Sequence, residues 1–290
     1  MSEQTFGFIG LGNMGGHMTA NLARNGTRLL VYDKAGTAAR APDGAARAQS
    51  AADVAAQVDN VLLCLPDGNV VAEVIDEMLN AGAGSLSRIV DTSTIGIAAA
   101  VSAFKTCAAG GVEYVDSPIS GGVAGARNAT LAVMYAGTAA SFEALLPVYS
   151  RMAKNVFQVG KQAGQGQAMK LLNNFLSGTA MAATSEAIAF GVGQGLDMET
   201  MLNVLNVSTG QNTATADKFP NRVLTESYDA GFLTRLFFKD LRLYREAIAA
   251  ANAADPVSPA VAALWERLQS TDSEADFTRI YPFVRDKKYA

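Results

Sequence analysis

Residues 6–16 read Phe-Gly-Phe-Ile-Gly-Leu-Gly-Asn-Met-Gly-Gly, an apolar run that leads directly into closely spaced glycines. The glycines at positions 10, 12 and 15 form the pattern G-x-G-x-x-G. In this pattern the first glycine permits a tight turn, the second lets a pyrophosphate approach the backbone, and the third lets a helix pack on its strand. Glycine turns also occur in loops that bind nothing, so the flanking sequence has to decide.

The flanking sequence supplies a complete βαβ unit. A helix-like run covers residues 18–24, Asn25-Gly26 ends it, and residues 28–32 form a second apolar strand that ends at Asp33. An acidic residue about 20 positions after the glycines is expected to bind ribose hydroxyls of a dinucleotide. The predicted cofactor contacts in this unit are Gly10, Leu11, Gly12, Asn13, Met14, Gly15 and Asp33.

Asp33 also bears on the choice of nicotinamide cofactor. Its carboxylate can accept hydrogen bonds from the ribose and would repel a 2′-phosphate, so the sequence favours NAD over NADP. Lys34 follows directly and partly offsets that repulsion, so some NADP activity is expected as well.

Length and composition narrow the class of protein. The 290 residues are enough for two domains, and 49% of them are hydrophobic. With 23 basic and 27 acidic residues and no basic block, the chain is expected to bind a small molecule rather than nucleic acid or a membrane. Residues 1–5 lack the pattern of a signal peptide, which predicts the cytoplasm. The isolated Cys64 and Cys107, with the single His17, are too few for a zinc site, so no metal is expected.

Strand-like and helix-like segments alternate as far as residue 160. Ser50 is expected to cap one helix, and Thr92-Ser93-Thr94 a helix over residues 98–107. This alternation predicts a doubly wound sheet with ligands at the carboxyl ends of its strands. The further strands are expected at residues 61–65, 88–91, 112–116, 131–136 and 156–159.

From residue 163 onward the pattern is entirely helical. The run from 163 to 193 contains no proline, which predicts one helix of roughly 30 residues. We therefore predict an α/β fold, with a Rossmann-type dinucleotide-binding domain over residues 1–162. A long helix joins it to an all-helical substrate and dimerisation domain over residues 163–290. Later helices are expected at 198–207, 218–226, 234–252, 258–269 and near Phe277.

A dinucleotide enzyme that moves hydride also needs a group that moves a proton. His17 lies beside the glycine turn and is best explained as a helix-surface residue, and no tyrosine is followed by a lysine four positions later. The strongest candidate is Lys170, with Asn174 one turn further along the same helix face. A lysine on a helix is usually only solvated, but this polar pair interrupts an apolar, alanine-rich helix.

Two other segments carry polar groups suited to a substrate. Residues 117–122, Ser-Pro-Ile-Ser-Gly-Gly, follow a predicted strand, and their serine hydroxyl and backbone N–H groups suit a carboxylate. An ordinary strand-to-helix turn explains this segment equally well. Lys239-Asp240, within a late helix, is either part of the site or a solvated charge pair.

Together and in this order, these segments resemble the β-hydroxyacid dehydrogenase family, which includes 3-hydroxyisobutyrate dehydrogenases and tartronate semialdehyde reductases. The resemblance covers essentially the whole chain. It is carried by Phe8-Ile-Gly-Leu-Gly-Asn-Met-Gly15, by Asp116-Ser-Pro-Ile-Ser-Gly-Gly122, by Gly164 to Asn174 and by Lys239-Asp240.

The resemblance implies an oxidoreductase that transfers hydride between a nicotinamide cofactor and a small β-hydroxy acid of the 3-hydroxyisobutyrate or tartronate semialdehyde/glycerate type. It implies that Lys170 is the catalytic acid/base and that Asn174 orients the substrate. It also suggests a homodimer or homotetramer built through the helical domain. The remaining implied contacts are Leu65, Pro66, Thr94 and Lys239 for the cofactor, and Ser120, Gly121, Gly122 and Asp240 for the substrate, with Lys239 and Asp240 lining the cleft.

Two departures from the family pattern leave the particular hydroxy acid open. Ala129 stands where a glycine commonly precedes Thr-Leu, and Gln211 follows Gly210 where an arginine is often seen. Two alternatives remain at this stage. One is an enzyme like the imine reductases, which typically lack the lysine, and the other is a non-catalytic NAD(P)-binding scaffold.

Overall fold

The computed structural model of the protein describes residues 4–82 and 84–289. The chain forms two compact units, which divide between Lys170 and Leu171. The division lies within a long helix, shortly after the change of sequence period that suggested a boundary at residues 162 and 163.

The first unit is built on one sheet of nine strands. Their order is β3-β2-β1-β4-β5-β6-β8-β7, and β9 pairs with β8. Strands β1 to β6 run parallel to one another, whereas β8 is antiparallel to β6 and β7 and parallel to β9. The strands are β1 (Thr5–Ile9), β2 (Arg28–Tyr32), β3 (Ala46–Arg47), β4 (Asn60–Leu63), β5 (Arg88–Asp91), β6 (Glu113–Asp116), β7 (Ile119–Ser120), β8 (Leu131–Ala136) and β9 (Ala153–Gly160).

Helices cover both faces of the sheet, and the sequence of the strands explains why. Successive side chains of a strand point to opposite faces. In β4, Val61 and Leu63 belong to one buried apolar cluster and Leu62 to the other, so the near-continuous apolar runs are buried on both sides. This confirms the predicted doubly wound fold. The helices of this unit are α1 (Gly15–Arg24), α2 (Thr37–Arg40), α3 (Ala51–Gln57), α4 (Gly68–Asn80), α5 (Ile97–Ala109), α6 (Gly122–Arg127) and α7 (Ala139–Tyr149).

One of the two predicted helix caps is correct. The Ser50 hydroxyl accepts a hydrogen bond from the Asp53 N–H at 3.0 Å. The cap predicted at Thr92-Ser93-Thr94 is wrong, because α5 begins at Ile97 after Gly96 and has no side-chain cap. The Ser93 hydroxyl instead accepts a hydrogen bond from the Leu65 N–H at 2.8 Å, which joins the loops that follow β4 and β5.

The second unit is helical as predicted. Its helices are α8 (Gln165–Gly193), whose first residues belong to the first unit, α9 (Met198–Leu205), α10 (Thr234–Ala251), α11 (Ser258–Thr271) and α12 (Ile280–Arg285), with a 3₁₀ turn at Phe277–Arg279. The helix expected at 218–226 is instead a π-helical segment, Ala214–Val223, that contains Pro220. Proline lacks the N–H that a regular helix needs and crowds the preceding turn, which accounts for the difference.

An aromatic cluster anchors α8 within the second unit. The rings of Phe237 and Trp265 lie 4.4 Å apart, and the Trp265 indole N–H donates to the Gly178 carbonyl at 3.3 Å. A Cβ at Gly178 would lie 2.2 Å from the Phe237 ring, so glycine permits this close packing. In the part of the chain described, α8 is also long and apolar enough to cross a membrane by length and composition, a test that buried core helices pass too.

A buried carboxyl at the end of β5 makes stability depend on pH. Asp91 accepts hydrogen bonds from the Ser93 N–H and the Tyr114 hydroxyl, each at 2.9 Å. Loss of hydration nevertheless raises the pKa of Asp91 from 3.8 to about 6. The native state therefore holds this proton more tightly than the unfolded chain, and the free energy of unfolding falls as pH rises from about 4 to about 6.

We expect Asp91→Asn to remove this dependence. Relative to wild type, the variant should gain up to about 3 kcal/mol between pH 4 and pH 7, because two pKa units correspond to about that energy. Thermal unfolding midpoints of both proteins across this range test the prediction, with Asp43→Asn at an exposed carboxyl as the control. A constant difference between variant and wild type at every pH would contradict it.

Candidate active site

The glycine turn has the shape that a dinucleotide requires. Gly10 has a φ of +97°, and a Cβ there would lie 2.2 Å from the Cys64 carbonyl oxygen. A Cβ at Gly15 would lie 1.9 Å from the Gly10 carbonyl oxygen, so α1 packs tightly against the turn. A Cβ at Gly12, in contrast, would meet nothing within 4 Å. The turn is therefore tight at its ends and open in its middle, which fits a pyrophosphate over the N-terminus of α1.

Asp33 closes the same site from the end of β2. One carboxylate oxygen accepts the Leu11 N–H at 2.6 Å and the other accepts the Ala35 N–H at 2.8 Å. The oxygen that accepts the Ala35 N–H keeps a lone pair for a ribose hydroxyl, whereas the other oxygen also accepts a long hydrogen bond from Arg40. The Arg40 guanidinium lies 3.5 Å from Asp33, with 42% of its side chain exposed. No recognisable motif surrounds Arg40 in the sequence, so only its position in the structure shows that it lies beside Asp33.

The other predicted cofactor residues of the first unit lie at the same sheet edge. Leu65-Pro66 follow β4 and Thr94 follows β5, and the Ser93 hydroxyl ties the two loops together. Parallel strands end at a common edge, so the structure brings these residues, the glycine turn and Asp33 together there.

The predicted carboxylate-binding turn follows β6. Ser120 pairs with Ala132 of β8, and Gly121 and Gly122 have φ values of +133° and +62°. Both angles favour glycine, most strongly the +133° of Gly121, so the backbone of the turn by itself accounts for the two residues. Their role in binding a carboxylate stays a prediction.

The structure explains why a glycine is common in the family at the position of Ala129, the first departure from the family pattern. It follows α6 with a φ of +54°, and the Thr130 N–H donates to the Gly125 carbonyl at 2.9 Å. This is the helix-ending arrangement that favours glycine. The departure at residue 129 therefore affects the backbone conformation after α6. Gln211, the second departure, lies in an exposed loop before the π-helical segment.

Ala129→Gly should therefore stabilise the protein by about 0.5 to 1 kcal/mol without changing substrate preference, because glycine removes the cost of the left-handed angle. Thermal unfolding midpoints measure the gain. Ala124→Gly, at an exposed interior position of α6, should instead lose about as much. A changed KM for the acid in Ala129→Gly would place residue 129 in the substrate site instead.

Lys170 lies near the start of α8 and is only 8% exposed. The interpretation of this residue as a simple solvated helix lysine is therefore wrong. Asn174 follows one turn later on the same helix, as the sequence predicts.

The second unit brings three of the predicted residues together. The Asn174 amide nitrogen donates to Asp240 at 2.6 Å, and the ammonium of Lys239 lies 3.3 Å from the other Asp240 oxygen. A carboxylate only accepts hydrogen bonds, so Asp240 fixes which way the Asn174 amide points. Only 4% of the Asp240 side chain is exposed, which rules out the solvated-pair interpretation of Lys239-Asp240.

The environments of the two cysteines determine whether their thiols ionise. Burial raises the pKa of the Cys64 thiol to about 11 and that of Cys107 to about 12, so both are protonated and unreactive at neutral pH. Among the described residues, no group of three or more His, Cys, Asp or Glu side chains is placed to hold a metal ion.

These features define a dinucleotide-binding oxidoreductase of the doubly wound class. Residues 5–160 match the family model of the NAD-binding domain of 6-phosphogluconate dehydrogenase. Residues 164–284 match the model described as the NAD-binding domain of NADP-dependent 3-hydroxyisobutyrate dehydrogenase. The chain belongs to the β-hydroxyacid dehydrogenase family, whose members are NAD(P)-binding oxidoreductases of β-hydroxy acids.

Individual relatives agree over nearly the full length. The chain is 35% identical to the 3-hydroxyisobutyrate dehydrogenase of Pseudomonas aeruginosa, covering 97% of this chain and 98% of the relative. It is 34% identical to the 2-(hydroxymethyl)glutarate dehydrogenase of Eubacterium barkeri, covering 90% and 87%. The solved structure of Mycobacterium tuberculosis 3-hydroxyisobutyrate dehydrogenase with L-serine has a TM-score of 0.87 at 31% identity, covering 97% and 99%.

Proposed function

We propose that the protein oxidises the primary hydroxyl of a small acid of the form HOCH2–CH(R)–COO⁻, with Lys170 as the proton-transferring group. The observation that carries this proposal is a buried lysine near the start of α8, followed one turn later by Asn174. The compounds named for the relatives, 3-hydroxyisobutyrate, 2-(hydroxymethyl)glutarate and L-serine, all share this skeleton. Glycerate shares it too.

Each part of the proposed chemistry is assigned to particular residues of the chain. In oxidation a neutral Lys170 takes the hydroxyl proton as the carbonyl forms, and in reduction its ammonium returns the proton. Ser120 and the N–H groups of Gly121 and Gly122 hold the substrate carboxylate. Asn174, held by Asp240, orients the hydroxyl. The bound nicotinamide would supply the hydride acceptor or donor.

Lys170→Ala should lower kcat by about 10²-fold or more, the usual scale for losing a general acid/base, without loss of NAD affinity. Lys170→Arg should fail in oxidation as well, because guanidinium does not deprotonate at accessible pH. Wild-type oxidation should accelerate toward alkaline pH, because free lysine has a pKa of about 10.4. Cofactor reduction with 3-hydroxyisobutyrate, glycerate, L-serine and 2-(hydroxymethyl)glutarate measures these rates.

Lys154→Ala, at an exposed lysine of β9, is the matched control and should match wild type. Near-normal oxidation by Lys170→Arg, with an unchanged pH profile, would show that the lysine only binds the carboxylate. A wild type inactive on every acid but active on cyclic imines would support the imine-reductase alternative. Binding of NAD without any turnover would support the scaffold alternative.

We propose that NAD is preferred and that Arg40 supports the residual use of NADP. Asp33 disfavours a 2′-phosphate, whereas the neighbouring Arg40 guanidinium can pair with one. Wild type should show the higher kcat/KM with NAD. Arg40→Ala should lower kcat/KM for NADP by roughly tenfold, the equivalent of about 1.4 kcal/mol, and change that for NAD by less than about twofold. Equal or better wild-type efficiency with NADP would overturn the preference.

The assembly and location are proposed on the same basis. The second unit exposes large apolar side chains, among them Phe190 at 69% and Val207 at 87%, which suits a homodimer or homotetramer formed through the helical domain. Light scattering measures the mass directly, and a monomer would contradict this proposal. A cytoplasmic location follows from the sequence expectation and is tested by cell fractionation.

A further inference from the structure

A buried glutamine holds the first turn of α8 in place. Gln167 has no exposed surface, and its amide nitrogen donates to Asp116 at 2.8 Å and to the Ser93 carbonyl at 3.1 Å. Its amide oxygen accepts the N–H groups of Ile95 at 2.9 Å and Gly96 at 3.1 Å. Two donated and two accepted bonds are the full capacity of an amide side chain. The orientation of Gln167 is therefore completely determined.

The second half of this attachment is Asp116, the last residue of β6. One of its oxygens accepts the N–H groups of Gly164 at 2.8 Å and Gln167 at 3.2 Å, so a carboxylate from a strand caps the N-terminus of α8. The approach is close, because a Cβ at Gly166 would lie 2.7 Å from the Met134 carbonyl oxygen and 3.0 Å from the Asp116 carboxyl carbon.

Three segments that the proposed function uses meet at this attachment, all within the first unit. Lys170 follows Gln167 by three residues on α8. The loop held by the Gln167 amide, residues 93–96, contains Thr94 of the cofactor site. Asp116 leads through residues 117–119 to Ser120. A shift of Gln167 would therefore move the lysine relative to both the cofactor loop and the carboxylate turn.

We propose that Gln167 is the positioning residue for proton transfer by Lys170. It sets the position of the first turns of α8 along the helix axis and their rotation about it. It thereby sets the position of Lys170 relative to residues 93–96 and the Ser120 turn. This proposal rests on the proposed catalytic role of Lys170. Misplacement of a reacting group by about 1 Å can lower the rate about 10²-fold, so loss of the Gln167 bonds should lower kcat.

The single variants Gln167→Ala and Gln167→Met remove the amide, and the methionine keeps the side-chain length. We expect each to lower kcat by roughly 10- to 100-fold while the Kd for NAD changes less than about twofold. Gln167→Asn keeps an amide but shortens the side chain by one methylene, and it adds no charge beside Asp116, so it provides a third variant with the same expected loss of kcat if the others fold poorly. Thermal unfolding and NAD binding show which variants retain the native fold.

Gln165→Ala is the matched control. Gln165 lies in the same helical turn, is exposed, and its amide oxygen accepts only the neighbouring N–H groups of Lys161 and Gln162 among the described bonds. This variant should keep the wild-type kcat. If it lost as much kcat as Gln167→Ala, the whole turn rather than Gln167 would be responsible, and the proposal would be overturned.

A double-mutant comparison separates positioning from a purely structural role. If Gln167 acts through Lys170, adding Gln167→Ala to Lys170→Ala should cost less than about a further twofold in kcat. Losses that multiply would overturn the positioning role, as would wild-type kcat in the Gln167 variants. Retention of activity by Lys170→Ala alone would instead overturn the proposed function, so the two failures are distinguishable.

Discussion

The bond between the Asp116 carboxylate and the backbone of α8 is the interaction on which the arrangement of the first unit's site depends. The first N–H groups of any α-helix lack partners within the helix, and burying them without partners would cost free energy. Asp116 supplies the partner from the end of a strand, at 2.8 Å from the Gly164 nitrogen. The sheet thereby fixes the position of the start of α8. Because Lys170 lies in the first turns of α8, its position is fixed as well.

Carboxylates at the ends of two other strands accept backbone N–H groups in the same way. Asp33 at the end of β2 accepts the Leu11 N–H, and Asp91 at the end of β5 accepts the Ser93 N–H. Each of these carboxylates satisfies backbone groups in a loop that follows a parallel strand, where regular pairing has ended. These bonds therefore hold the loops in defined conformations beside the site.

Burying the carboxyl groups that hold these segments lowers the stability of the protein. Burial raises the pKa of Asp116 as well as that of Asp91, because both lose hydration that their hydrogen bonds replace only in part. Asp91 and Asp116 also face each other in register on β5 and β6. Apolar residues at these positions would avoid the cost of burying a carboxyl group, but they would leave the N–H groups of the loops and of α8 unpartnered. The cost is thus tied to the placement of the functional segments.

The sequence by itself determined the class of fold, the glycine turn, the helical second half and the family, because these depend on local patterns: glycine spacing, apolar periodicity and ordered motifs. It also singled out Lys170 and Asn174, because polar residues interrupting an apolar helix stand out. Only the tertiary structure decided what Gln167, Asp116 and Arg40 contact, and that Thr92–Thr94 do not cap α5. Gln167 meets residues more than 50 positions away in the chain, and no local pattern encodes which distant N–H or carboxylate a buried amide will reach.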